Sequence, residues 1–195
     1  MIVKAYTEWA LKQHLCGRHE TIHVVDMTFE KDTDFLLFTQ NALCLLQRTD
    51  PRRYRTIVRE VRYIVNSRIK GGGSYQRKNR RVSVNYKLYM AERSQPDYDI
   101  HLAAYACMLV HEATHGRLFT FGIPYNEQTW ERCEGLCRRE EKRFTSRLHL
   151  EDYDSSKLVS GVNQEFYVSM RNMSLMAKVK AIINIIYEFS RRKTS

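Results

Sequence analysis

The stretch LVHEATHGRL, residues 109–118, places two histidines four positions apart within a run of apolar and small side chains. Residues i and i+4 lie side by side on a helix, so His111 and His115 would direct two imidazoles at one point. Zinc binds neutral imidazole nitrogens and, in catalytic sites, takes one more protein ligand and leaves a position open for water. Glu112, directly after the first histidine, has the position of a general base acting on that water. The stretch therefore predicts a helix that binds Zn2+.

The residues around this stretch predict that the helix is buried. The segment AAYACMLVHEATHGRLF is apolar on nearly all sides, and its pattern predicts a helix from about Asp99 to Phe119. A core helix with two hydrogen-bonded histidines is the alternative interpretation. That alternative leaves Glu112 and both histidines buried without a reason for their polarity.

The next predicted helix, at about 126–147, carries two candidates for the third ligand, Glu131 and Glu134. An apolar stripe runs along it through Trp130, Cys137, Phe144 and Leu148. Glu134 falls within this stripe, whereas Glu131 lies about a quarter turn or more away. A carboxylate on an apolar face is unusual unless it is paired or bound to a metal, so Glu134 is the predicted ligand. Glu141, on the same stripe, is predicted to hold the far nitrogen of a ligand histidine, with a buried salt bridge to an arginine as the alternative. Cys137 is interpreted as a structural residue.

HEATH, then 18 residues, then Glu134 in ERCEG resembles the gluzincin class of zinc metallopeptidases, whose ligands are two histidines and a glutamate from the following helix. The resemblance covers about residues 99–145. The chain is also similar to uncharacterised bacterial proteins with an LVHEATHARL-like core, which suggest metallopeptidases without assigned substrates. The resemblance implies a small zincin-like α+β fold, mostly helical with a small antiparallel or mixed sheet. It also implies hydrolysis of amide bonds in a protein or peptide substrate, with Glu112 as the general base.

The chain departs from the gluzincin pattern in three respects. No GAMEN-like segment is present, so aminopeptidase action is not supported, and Arg138 stands where an acid would follow the ligand glutamate by four residues. The residue that stabilises the transition state is not fixed by any motif. Tyr125, in the loop between the two helices, is one candidate. The others are His149, Tyr153 and Tyr167.

Hydrophobic periodicity predicts the remaining elements. They are a short helix at 3–15, a strand at 21–30, helices at 34–47 and 54–68, a half-exposed strand at 81–90, and an amphipathic helix at 174–193. A glycine-rich basic turn precedes the 81–90 strand. In zincin folds the strand before the catalytic helix is a sheet edge that pairs with an extended peptide, and the resemblance gives this role to 81–90.

The composition indicates one globular domain spanning residues 1–195, with 43% hydrophobic and 28% charged residues. No apolar run reaches the length of a membrane span, and the N-terminus lacks the apolar core of a secretory signal. Five cysteines without framework spacing favour reduced thiols. The expected location is therefore cytoplasmic, with export by a route that needs no signal peptide as the alternative.

The net charge of +10 suggests an anionic partner. Basic residues concentrate in segment 68–93, where Tyr75, Tyr86 and Tyr89 are interleaved, a pattern that suits single-stranded nucleic acid. A solvated hairpin is the alternative. Two rival functions stay open, a basic module that binds nucleic acid or membranes and holds a purely structural zinc, and a metallohydrolase acting near DNA. Nothing in the sequence predicts an oligomeric state.

Overall fold

The fold combines helices with one mixed sheet, as seen in a computed structural model that describes residue 11 and residues 13–28, 33–90 and 98–148. In chain order the elements are β1 (Leu15–His19), β2 (Ile22–Asp26), α1 (Thr33–Thr49), α2 (Pro51–Glu60), β3 (Tyr63–Asn66), β4 (Gly73–Gln76), β5 (Arg81–Val84), α3 (Lys87–Met90), α4 (Tyr98–Thr120) and α5 (Trp130–Thr145). A 3₁₀ turn joins β4 to β5. The predicted α+β class, mostly helical with a small mixed sheet, is confirmed.

The sheet has the strand order β1-β2-β3-β5-β4. Strands β2, β3 and β5 run parallel, while β1 and β4 pair antiparallel at the two edges. The parallel strands are buried on both faces, as is usual when helices pack on a parallel sheet. One face joins side chains of α1, α2 and α4 in the main core. Its residues are Ile22, Val24, Ile64, Val82 and Val84.

Helix α4 is the central element, since nearly every side chain from Leu102 to Gly116 is buried. Tyr105 and Thr39 share a 3.0 Å hydrogen bond that ties α4 to α1. The helix ends at a left-handed Gly122, and the N–H of Ile123 returns to a carbonyl of the last turn. The prediction of a buried helix over about 99–119 is confirmed.

The predicted helix at 54–68 is wrong in its second half. Helix α2 begins at Pro51, with the Asp50 side chain accepting a hydrogen bond from the N–H of Arg53, and it ends at Glu60. Val61 is extended, and β3 follows. The apolar run after Val61 is rich in β-branched residues, and a fully buried strand has the same continuous apolar pattern as a buried helix.

The predicted strand at 81–90 is also wrong in part. Strand β5 ends at Val84, and the next residues form α3. Ser83, expected to face solvent, is 7% exposed because β5 lies between β3 and β4 rather than at an edge. The antiparallel edge strand is instead β4, formed from the segment that was expected to be a glycine-rich turn.

Several predictions concern residues beyond those described. The helix at 3–15 is described only at residue 11 and residues 13–15, and the helix at 174–193 lies wholly outside the described residues. Both stay predictions, as does the single domain spanning 1–195. Within the described residues, none of the helices combines the length and the apolar character that crossing a membrane requires.

Candidate metal centre

The two histidines of the opening motif meet on the buried face of α4. Their Nε2 atoms are 3.2 Å apart, and both residues are at most 6% exposed. The i, i+4 spacing on a regular helix produces this approach, as the sequence predicts. His111 and His115 therefore present two ring nitrogens to one point inside the protein.

Helix α5 brings the carboxylate of Glu134 to the same point. One oxygen lies 3.3 Å from Nε2 of His111 and the other lies 3.3 Å from Nε2 of His115. Two ligands held by a tetrahedral zinc ion at 2.0–2.1 Å are separated by about 3.3 Å, so the spacing suits such an ion. Glu131, one turn earlier on the same helix, is exposed. The structure thus places Glu134, and not Glu131, beside the histidines.

The chemical nature of these nitrogen and oxygen atoms also suits a bound cation. Oε2 of Glu134 is buried and receives no hydrogen bond from the described residues. A buried carboxylate oxygen of this kind is costly unless a cation or a donor compensates it. Imidazole nitrogen and carboxylate oxygen are both ordinary zinc ligands. The arrangement of His111, His115 and Glu134 is called the metal centre below.

Cys137, one turn after Glu134, is a residue whose place at this site the sequence interpretation missed. Its Sγ and the ring nitrogens of His111 and His115 all lie within 4.8 Å of one another, and the three buried residues can hold a metal ion. Burial, together with the surrounding carboxylates, raises the pKa of the Cys137 thiol. The available signal was its position on the same stripe as Glu134.

Glu141 contacts the opposite side of His111. Its Oε1 lies 3.2 Å from Nδ1 of that ring, and the side chain is fully buried. A carboxylate at Nδ1 fixes the ring orientation and leaves Nε2 directed at the metal position. The structure therefore places Glu141 as the sequence predicted, two turns after Glu134 and against one of the two histidines.

Tyr125 lies at the site and contacts two of the predicted ligands, while its expected role in stabilising the transition state stays a prediction. Its hydroxyl donates a 2.7 Å hydrogen bond to Oε1 of Glu134, and its ring packs edge-on against His115. The hydroxyl thus orients a predicted ligand. The alternative candidates for transition-state stabilisation, His149, Tyr153 and Tyr167, lie outside the described residues.

Glu112 lies beside the metal centre and close to β4. Burial raises the pKa of its carboxyl, the two histidines oppose that effect, and Glu134 and Glu141 add to it. A Cβ atom placed on Gly73 of β4 would lie 3.0 Å from Oε1 of Glu112 and 2.5 Å from the sulfur of Met108. A glycine therefore lets the edge strand pass directly against Glu112, a role that the GGG run did not reveal.

The carboxylates beside His111 favour the protonated form of its ring. Burial alone would lower the pKa of this ring, but the carboxylates of Glu134 and Glu141 outweigh burial and raise the pKa to about 10. Burial would raise the pKa of Glu134, yet the neighbouring rings of His111 and His115 and the hydrogen bond from Tyr125 lower it well below its usual range. A metal ion entering the site must therefore displace this proton.

The basic segment 68–93 is exposed at most of its charges, but its tyrosines are not available as a stacking surface. Tyr86 is 1% exposed, and Tyr75 stacks on Phe119 with ring centroids 6.1 Å apart. Tyr89 packs edge-on against Tyr105. These rings are therefore at least partly covered by packing, and an anionic partner of this segment stays a prediction.

Comparison with protein-family models, with curated proteins and with solved structures finds no match to this chain. The resemblance to gluzincins therefore rests on the motif residues within about 99–145. The geometry of those residues is the basis for the function considered next.

Proposed function

We propose that the protein is a zinc-dependent peptidase, with His111, His115 and Glu134 as the metal ligands and Glu112 as the general base. The proposal rests on one observation. Inside the protein, beside Glu112, the Nε2 atoms of His111 and His115 lie 3.2 Å apart, and each lies 3.3 Å from an oxygen of Glu134. A structural helix has no need of four titratable side chains at one buried point, because each costs free energy to bury.

Glu112 would perform the proton transfers. Zinc, when bound, makes a water molecule more acidic and polarises the substrate carbonyl. Glu112 accepts a proton from the attacking water and then delivers it to the nitrogen of the leaving amine. Burial raises the pKa of Glu112 towards neutrality, which suits a group that must both take and return a proton.

Two further side chains would hold the ligands in place. Oε1 of Glu141 lies 3.2 Å from Nδ1 of His111, and a proton held on Nδ1 by this carboxylate would leave the lone pair of Nε2 for the metal. The hydroxyl of Tyr125 donates a hydrogen bond to Glu134 and so restrains the carboxylate. Through these contacts both would act as positioning residues.

The β4 edge, the side of Gly73–Gln76 that faces away from β5, is the proposed substrate surface. Within the described residues β4 pairs with β5 alone, so its outer backbone has no strand partner there. An extended peptide can add to such an edge through main-chain hydrogen bonds. Gly73 lies against Glu112, so a peptide on this edge would pass the general base. We therefore propose β4, and not the 81–90 segment, as the edge strand that pairs with an extended peptide.

The test is the substitution Glu112→Gln, assayed on a broad peptide library with zinc present. It keeps the shape of the side chain and removes the base, so zinc content should stay and hydrolysis should fall by a factor on the order of a hundred or more. Glu131→Gln is the matched control, because this exposed glutamate should tolerate the same change without loss. Equal cleavage by wild-type protein and Glu112→Gln would contradict the proposal.

A purely structural metal centre is the second candidate, and Cys137 favours it. If its sulfur joined the two histidines and Glu134, four protein ligands would close the tetrahedron and leave no position for water. Cys137→Ala separates the two functions. A catalytic centre should keep its zinc and its activity in this variant, whereas a structural one should lose zinc and unfold more easily.

A further inference from the structure

The net positive charge of this protein arises in one part of the chain. Residues 51–90 contain twelve arginines and lysines and a single acidic residue, Glu60, whereas all other residues together contain 20 basic and 21 acidic ones. The net charge of +10 therefore comes from this segment alone. General solubility does not require such a concentration, so its location in the fold is informative.

Part of the concentrated charge lies at the two ends of β4. Lys70 precedes the strand, Arg77 and Lys78 follow it, and all three side chains are exposed. No acidic residue occurs from residue 61 to residue 91. Glu60 is 4% exposed, with its carboxylate bound to the guanidinium of Arg59 and the hydroxyl of Thr120. Apart from Glu112, which lies beside Gly73, no acidic residue of these segments therefore offsets the field at the edge.

The aromatic residues nearby favour a peptide over a nucleic acid as the anionic partner. Bases of single strands stack on free aromatic rings, but Phe119 is stacked on one side by Tyr75 and lies 5.6 Å from the guanidinium of Arg77. Tyr86 is buried. The β4 edge offers instead the backbone N–H and C=O groups of a strand, which can form hydrogen bonds with another extended polypeptide.

We infer that the β4 edge binds an acidic, extended polypeptide segment, and that this defines the substrate class of the peptidase proposed above, on which the inference rests. Strand residues advance by about 3.3 Å, so Arg77, four positions beyond Gly73, lies roughly 13 Å along the strand from Glu112. Lys70 lies three positions before Gly73. Aspartates or glutamates are therefore expected about three or four residues to either side of the bond that is cleaved.

The test uses two labelled extended peptides that differ only in carrying glutamates or lysines at the same positions. Their binding is measured by fluorescence anisotropy at low and at moderate salt, on full-length Glu112→Gln loaded with zinc so that no cleavage interferes. Two charge-reversed proteins, each also carrying Glu112→Gln, are compared, Lys70→Glu/Lys78→Glu at the β4 edge and Arg48→Glu/Arg52→Glu where α1 meets α2. All four side chains are exposed, and both pairs change the net charge equally.

We expect the glutamate peptide to bind at least about tenfold more tightly than the lysine peptide at low salt, with the preference weakening as salt is added. Only the reversal at Lys70 and Lys78 should abolish it. Equal binding of both peptides, or equal effects of the two reversals, would overturn the inference. So would a homopolymeric single-stranded RNA that binds more tightly than the glutamate peptide and loses affinity in the same variant.

Cleavage of the two peptides by the wild-type protein separates this inference from the peptidase proposal. Equal cleavage of both peptides contradicts the acidic preference and keeps the peptidase. Selective binding of the glutamate peptide without any cleavage contradicts the peptidase and keeps an acidic-peptide site at the β4 edge. Selective cleavage of the glutamate peptide supports both.

Discussion

The metal centre and the β4 edge lie against each other at Gly73, yet they carry charge in different ways. In the metal centre every charged group is buried within about 3.3 Å of a named partner, as His111 is between Glu134 and Glu141. Along the β4 edge the charges of Lys70 and Lys78 are exposed. Buried charges are costly without partners, whereas exposed ones act through a field that salt screens. Single substitutions should therefore disrupt the centre, and only combined ones should change the edge.

The largest expected effect is loss of zinc in Glu134→Gln. The amide keeps the size of the side chain but removes the charge and one acceptor, so zinc affinity should fall by more than about a hundredfold. Competition with a chelator measures the affinity. Glu131→Gln, with the same chemical change at an exposed position of α5, should bind zinc like the wild type. Equal losses in both variants would show that burial on α5 does not select the ligand.

A smaller effect is expected from Glu141→Gln. Its carboxylate contacts His111 and not the metal position, so the substitution should weaken zinc binding by about 10- to 100-fold without abolishing it. Because the amide oxygen can still accept a hydrogen bond from Nδ1, Glu141→Leu should weaken binding more than Glu141→Gln. The same chelator competition compares the two variants. Identical losses would mean that Glu141 acts only by filling space.

The pH dependence of zinc binding distinguishes a protonated His111 from a neutral one. In the metal-free protein the pKa of His111 is about 10, so below that pH zinc must displace a proton. Affinity should therefore rise about tenfold per pH unit between about pH 7 and pH 9. A histidine with its ordinary pKa of about 6.5 would already be neutral, and affinity would then level off above pH 7.

The smallest expected effect is on the stability of Lys70→Glu/Lys78→Glu. Both side chains are exposed, so the free energy of unfolding should change by less than about 0.5 kcal/mol for each. Chemical denaturation measures this change. A large loss of stability would show that these charges hold the fold together, and the contrast between the metal centre and the β4 edge would then fail.

The grouping of His111, His115 and Glu134 in space was predictable from the sequence because the information for it is local. His111 and His115 are one helical turn apart, and Glu134 is recognisable in the sequence because it is a carboxylate on an apolar stripe. Helical periodicity alone therefore indicates which side chains share a face. Cys137 shares that stripe as well, but a buried cysteine is usually a packing residue, so its approach to the histidines required the packing of α5 on α4.

The sheet was less predictable because strand order depends on contacts distant in sequence. Ile64 and Val65 fit the predicted helix by their apolar pattern. In the structure they belong to β3, which lies between two parallel strands and is buried on both faces. The edge position of β4 follows from its antiparallel pairing with β5, which no local pattern encodes. Gly73 could be interpreted as a turn residue until Glu112 and Met108 are seen beside it.

The most direct test of the metal centre is X-ray absorption at the zinc edge of the loaded wild-type protein, with metal analysis of the same sample. About one zinc per chain is expected, with nitrogen and oxygen ligands at about 2.0–2.1 Å and no sulfur in the first shell. That result would agree with His111, His115 and Glu134 as the ligands and with a position left for water. A sulfur at about 2.3 Å would place Cys137 on the metal and close the site, and a protein that retains no zinc would contradict the metal centre itself.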